Sequence, residues 1–167
     1  MTRTLAVVAI ALAGGVALTA ATSSASAAKA HAVSIYAPRG VSSNCSRVLP
    51  LKRFVTTPTL LKGAMQALLA GPTTVERARG YGGWFSAKTA GHLRGVRIAN
   101  GVAFIDFRNF AHDIPNASAS CGSELLLAQL DRTAKQFSSV KRTVYSFNGS
   151  RHDFYEWLQR EAPEALG

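Results

Sequence analysis

Acidic residues are scarce in this 167-residue chain: 9 Asp and Glu face 19 Lys and Arg, a formal net charge of +10. Several chemical signatures are missing as well. There is no H-E-x-x-H or H-x-x-x-H pair, whose helical spacing would put two imidazoles on one metal. There is no G-x-S-x-G elbow, no phosphate-cradling P-loop and no G-x-G-x-x-G turn. No internal repeat is visible, and the arginines come singly, never in a run of four. Zinc hydrolases, nucleotide-binding enzymes and serine hydrolases of the common kinds are therefore not indicated, and no cofactor or metal is expected. Cysteine is rarer still, with two in the chain, Cys45 and Cys121.

One end of the chain has a different character. Arg3 precedes an uncharged apolar stretch over residues 5–21, and Ala25-Ser26-Ala27 follows. Positive start, apolar core and small-residue exit in that order read as a secretory signal peptide, residues 1–27. The alternative is a membrane anchor, but an Ala- and Gly-rich core of about 17 residues is marginal for a bilayer of about 30 Å. No cysteine stands at the cleavage point, so a lipid anchor is not expected. After cleavage the chain would carry no membrane span. It would run as a short disordered leader (28–32), one domain (33–160) and a tail (161–167). Roughly 140 residues is the common size of a single domain.

Export colours the other readings. Two cysteines in an oxidising compartment predict a Cys45–Cys121 disulfide. Removing Arg3 leaves 18 basic and 9 acidic residues, a charge of +9. That excess suits an acidic partner such as nucleic acid, anionic wall polymer or lipid head groups, or it reflects solubility and genome bias. Outside the cytoplasm it does not point to nucleic acid.

Periodicity supplies the elements. Residues 33–37 alternate as a strand. Residues 47–55 read as a second strand, with Pro50 marking an edge or a bulge because it cannot donate to a ladder. Thr57 and Pro58 predict a helix start as N-cap and first helical residue. Leu61, Ala64, Met65, Leu68 and Leu69 then form one apolar face. Thr73 and Glu76 have capping-box spacing, and Gly80 ends that short helix. Residues 93–99 and 102–108 flank Asn100-Gly101, a hairpin turn signal. On the second of these strands Ala103, Ile105 and Phe107 share one face, Phe104 and Asp106 the other. A polar loop over 109–120 leads to Cys121, and a helix carrying Leu126, Leu130, Ala134 and Phe137 follows. The last strand, 140–147, turns at Asn148-Gly149 into a helix capped by Ser150, with Phe154, Trp157 and Leu158 on one face. Hairpin and crossover together predict an α/β (α+β) two-layer sandwich: a mixed, mostly antiparallel sheet with helices packed on one side.

The stretch Leu68-Leu69-Ala70-Gly71-Pro72-Thr73, with Glu76-Arg77 and Gly80 behind it, resembles the signature of the GerMN domain of sporulation and spore germination. The hairpin from Gly95 to Phe107 and the segment from Leu125 to Gly149 resemble that family's later elements. Trp84-Phe85-Ser86, Cys121-Gly122-Ser123 and Phe154-Tyr155-Glu156-Trp157-Leu158 look like the actinobacterial single-domain version. The resemblance covers about residues 33–158. It implies an extracytoplasmic module related in shape to the ring-building modules of secretion machines. It further implies protein–protein or cell-envelope contacts and no catalytic residues.

Individual residues carry two readings each. Cys121 at a helix start could be a nucleophile with His112, His92 or His152 as base, making the chain a small secreted hydrolase; the other reading is a disulfide beside surface histidines. Asp106 could be a general base, or a solvent-face residue paired with an arginine. The loop Tyr81-Gly82-Gly83-Trp84-Phe85, preceded by Arg77 and Arg79, could present aromatic rings to a partner. Alternatively Trp84 and Phe85 plug the core. Arg77, Arg79, Tyr81, Trp84 and Phe85 are thus the candidate binding surface of a module whose expected partner is an envelope protein or an anionic wall polymer.

Overall fold

The computed structural model describes residues 29–163. The predicted signal peptide, residues 1–27, lies outside the described residues. Ten elements follow in order: β1 (His31–Ala37), β2 (Leu49–Val55), α1 (Leu60–Leu69), α2 (Thr74–Ala78), β3 (Leu93–Ala99), β4 (Val102–Phe107), a 3-10 turn (Pro115–Ser118), α3 (Ser120–Lys135), β5 (Arg142–Phe147) and α4 (Arg151–Trp157). The architecture is α/β, with strands and helices sharing one core.

The strands form two sheets instead of the single mixed sheet expected. β1 and β2 make an antiparallel pair; β3, β4 and β5 make a second sheet, antiparallel between β3 and β4 and parallel between β4 and β5. Side chains of α3 and its C-terminal cap explain the division. Gln136 accepts from the Ser34 N–H at 2.8 Å and donates to the Ser34 carbonyl at 2.7 Å. Thr133 Oγ1 accepts from the Tyr36 N–H at 3.2 Å, and Gln129 Nε2 donates to the Tyr36 carbonyl at 3.2 Å. Positions 129, 133 and 136 fall on one helix face by i, i+4, i+7 spacing. They give the free edge of β1 the partners another strand would supply. Gln129 and Thr133 are buried, so these bonds avoid the cost of about 1–3 kcal/mol that each unsatisfied buried polar group carries.

The core is built from the faces that periodicity marks. Ala103, Ile105 and Phe107 of β4 turn inward into the same core cluster as Leu61, Met65 and Leu68 of α1 and Leu126 and Leu130 of α3. Phe104 and Asp106 turn to the other face, where the Arg97 guanidinium lies 4.1 Å from the Phe104 ring centre and Arg94 Nη1 donates to Asp106 at 2.7 Å. Asp106 also accepts from Ser146 Oγ at 2.7 Å and the Gly149 N–H at 2.8 Å, tying β4 to the turn after β5. Asn100 and Gly101 both take positive φ, the geometry of a two-residue hairpin turn. Ser150 Oγ accepts from the Asp153 N–H at 3.2 Å and caps α4.

Several boundaries differ from expectation for identifiable reasons. The N-cap position of α1 is Thr59, which makes no side-chain capping bond, two residues beyond the predicted Thr57; the Thr57 hydroxyl instead accepts from the Thr59 N–H. Such local side-chain bonds compete with helix formation. β1 begins at His31, inside the predicted leader. The segment 109–120 is more than a polar loop: Phe110, Ile114 and Ala117 are buried. Phe110 packs edge-on against Phe147 and Trp157 at 5.0 and 5.9 Å. Cys121 consequently lies inside the first turn of α3. Pro50 stands on β2, a strand paired on one side only.

Candidate functional site

The turn between α1 and α2 is a rigid clamp built from the signature residues. Gly71 takes positive φ. A Cβ there would lie 2.1 Å from the Phe85 carbonyl oxygen, so only glycine fits. Thr73 Oγ1 accepts from the Glu76 N–H at 3.2 Å. Glu76 Oε2 in turn accepts from the Thr73 N–H at 2.7 Å, completing the reciprocal box predicted from the spacing. Glu76 does more than cap. Its two oxygens take both terminal nitrogens of Arg53 at 2.7 and 2.6 Å, pinning α2 to β2 through a forked pair. These bonds from Arg53, aided by the Thr73 N–H, hold the Glu76 carboxyl down at about pKa 2 against the opposing effect of burial. Arg77 Nη1 donates to the Pro72 carbonyl and Nη2 to Thr74 Oγ1, so this guanidinium closes the same turn.

The aromatic loop after it faces two ways. Tyr81 forms an isolated bridge with Arg39, and the Gly82 N–H donates to the Pro38 carbonyl at 3.0 Å. The Arg39 guanidinium lies 5.5 Å from the Tyr81 ring centre and its Nε donates to the Arg79 carbonyl. Arg39 and Arg79 are exposed and Tyr81 half-buried. Beyond Gly83 the chain dives inward. Trp84 Nε1 donates to the Gly122 carbonyl at 3.0 Å, and its backbone N–H donates to Gln129 at 3.2 Å. Phe85 is 2% exposed and meets Phe110 edge-on. Phe85 therefore belongs to the core and presents nothing to a partner, and Trp84 is chiefly a strut between loop and α3. Arg79 and Tyr81 remain outward, with Arg39 added, a residue that sequence order keeps 40 positions from Arg79.

The groups proposed for chemistry are occupied. Cys45 and Cys121 are joined, with Cα atoms 5.2 Å apart, and no free cysteine exists among the described residues. The thiol of the hydrolase reading is thus absent. His92 places Nε2 3.4 Å from Asp113 and Nδ1 3.2 Å from the Thr89 carbonyl. His152 lies 3.3 Å from Glu156 on the exposed face of α4, and His112 sits on an exposed turn. Asp106 is paired with Arg94, as its solvent-face reading predicts. Among the described residues no group of three or more His, Cys, Asp and Glu is placed to hold a metal, and no helix is long and apolar enough to cross a membrane.

Sequence reasoning passed over a groove of about 300 Å³ beside β5, lined by residues including Leu127, Lys135, Arg142, Val144 and Tyr155. Asp131 organises its floor. Its Oδ1 accepts from Thr143 Oγ1 at 2.7 Å and from the Tyr145 hydroxyl at 2.6 Å, and its Oδ2 from Lys135 Nζ at 2.8 Å. Burial, with Asp131 adjacent, pushes the Tyr145 hydroxyl pKa well up; burial pushes Tyr155 up to about 12. Both phenols therefore serve as neutral hydrogen-bonding groups. Threonine and tyrosine two apart on one strand face, opposite an aspartate on a helix, were the signal available.

Together the α/β core, the clamp at the α1–α2 turn and the single disulfide define a small, cross-linked scaffold. The family described as "Germane: Sporulation and spore germination" matches residues 34–153, and the chain belongs to it. Two solved structures are similar in fold. The tandem GerMN domains of the sporulation protein GerM from Bacillus subtilis share 20% identity, with 73% of this chain and 40% of that one covered and a TM-score of 0.49. The first GerMN domain of the same protein shares 20% identity over 72% of this chain and 84% of that one, with a TM-score of 0.46. The chain thus spans 40% of the length of the tandem structure. No curated protein matches.

Proposed function

We propose that this chain is an exported, non-catalytic binding module of the cell envelope, contacting a protein partner and linked to sporulation or germination. The observation that carries the reading is a Germane-family domain closed by a disulfide over a sequence separation of 76. Disulfides form and persist in oxidising compartments, which agrees with residues 1–27 acting as a cleaved signal and residues 33–160 as the mature domain. The Cys121 thiol that a hydrolase would need is taken up in the disulfide, and His92, Asp106 and Glu76 stand in His92–Asp113, Arg94–Asp106 and Arg53–Glu76 pairs. On this reading the corner of Arg39, Arg79 and Tyr81 is a contact surface, because an aromatic ring with a guanidinium beside it suits interface anchoring.

Photo-crosslinking in the native host tests this. A benzophenone amino acid at Tyr81 is expected to trap a discrete envelope protein, while the same group at Lys88 traps none. Recovery of the chain as a free cytoplasmic protein with residues 1–27 intact, or no crosslink from any surface position, would end the proposal. The positive charge supports a second reading, adhesion to anionic wall polymer. Binding to purified wall would then fall steeply between low and physiological salt, because exposed charges are screened over about 8–10 Å.

A further inference from the structure

β5 is the outer strand of its sheet, and its outward edge is only partly closed. The Arg142 N–H donates to Gly101 and the Asn148 N–H to Phe107, so the even-numbered residues of β5 face β4. Alternation along a strand turns the backbone groups of Thr143, Tyr145 and Phe147 the other way. The fold closes two of these positions. The Phe147 N–H donates to the Ser150 carbonyl at 2.9 Å and the Tyr145 N–H to the Tyr155 hydroxyl at 3.3 Å. The outward N–H of Thr143 has no acceptor among the described residues. The groove opens at this point, with Leu127, Val144 and Tyr155 as apolar wall. Arg142, exposed on the wall, has no carboxylate partner among the described residues.

We propose that this groove receives an extended, acidic segment of a partner protein as an added strand on β5. The proposal rests on the binding-module reading and names its contact and partner class. An open strand edge recruits another strand: main-chain bonds supply affinity, and side chains alternately enter the adjacent pocket. The apolar wall accepts an aliphatic side chain at every second position. Lys135 is held by Asp131 in the groove floor, which leaves the Arg142 guanidinium as the charge that favours an acidic residue on the segment beside it. A second copy of this chain is a poor occupant, since each exported copy would carry about +9 once Arg3 is removed with the signal, and two such copies repel.

Amide spectra of the isotope-labelled chain, disulfide intact, provide the test. The probes are a pool of synthetic ten-residue peptides alternating Val or Ile with Glu, the same pool with Lys for Glu, and the Glu pool N-methylated at alternate backbone nitrogens. The Glu pool is expected to shift amides of residues 127–135 and 141–145 saturably and to protect the Thr143 amide from exchange. The Lys and N-methyl pools are expected to bind at least about tenfold more weakly, as is the Glu pool with the Arg142→Glu variant. No shift with the Glu pool at about 1 mM overturns the proposal. So do equal shifts with the N-methyl pool, which would mean attraction by charge alone. If binding needs truncation after Pro163, the occupant is the chain's own segment 164–167 and the partner is excluded. Crosslinks from Tyr81 surviving any of these failures would leave the module reading standing and remove only the groove.

Discussion

Replacing Glu76 by Gln isolates one carboxylate that joins α2 to β2 and to its own N-cap. Glu76 takes a forked pair of bonds from Arg53 on β2 and one from the N-cap Thr73, and its side chain keeps 16% of its exposure. The carboxyl pKa drops from an ordinary 4.5 to about 2, first because of the Arg53 bonds. At about 1.4 kcal/mol per pH unit this would be worth about 3 kcal/mol; solvent at the pair lowers the expectation to about 2 kcal/mol. The folded value lies below the unfolded one, so the folded state binds fewer protons. The stabilisation is complete above about pH 4.5 and is lost as pH falls toward 2. Gln keeps an acceptor for Thr73 but turns an amide N–H₂ or a neutral oxygen toward Arg53. Urea unfolding followed by tryptophan fluorescence should show Glu76→Gln less stable by about 2 kcal/mol at pH 7, a midpoint roughly 1 M lower. The gap between variant and wild type should close between pH 5 and pH 2. A gap under about 0.5 kcal/mol at pH 7, or one that stays constant with pH, refutes the reasoning.

Three other outcomes follow from the same structure. The native chain should titrate with no free thiol. Its double variant Cys45→Ser, Cys121→Ser should lose about 4 kcal/mol in urea unfolding, the entropy of a loop closed over a sequence separation of 76. Gly71→Ala should cost about 3 kcal/mol or more, because its Cβ would meet a backbone oxygen at 2.1 Å. Gly91→Ala, also at positive φ but with nothing within 4 Å, should cost about 1 kcal/mol in the same melt. Gln136→Ala should strip the Ser34 N–H and carbonyl of partners and cost about 1–3 kcal/mol. Hydrogen exchange should quicken at Ser34 and not along β4.

Local chemistry made much of the fold legible. The Asn100-Gly101 turn, the Thr73–Glu76 box, the Ser150 cap and the inward row of Ala103, Ile105 and Phe107 each depend on neighbours within a few residues, and the chain states them directly. What sequence order concealed is long-range. Gln129, Thr133 and Gln136 read as ordinary polar positions on a helix; only their meeting with β1 makes them the reason for two sheets. Phe110 stands among polar residues and yet lies at the centre of an aromatic cluster. The Trp84-Phe85 pair is compatible with display or burial until Gly83 meets Gln129, where a Cβ would lie 2.5 Å from Nε2. The binding corner was half legible, since Arg79 and Tyr81 are near neighbours and Arg39 is not. The groove had only the faint signal of Thr143 and Tyr145 two apart on one strand, because Asp131 and Tyr155 join them only when α3, β5 and α4 are assembled.

The side-chain rail along α3 has a temporal consequence. β1 is the first of the described elements to be synthesised, yet Ser34 and Tyr36 find their bonding partners 102 and 97 residues later. Until α3 emerges, the opening hairpin is a strand pair with one edge bare. Assembly of this domain must therefore wait for nearly the whole polypeptide, which suits the proposed passage across a membrane as an unfolded thread that closes on the far side.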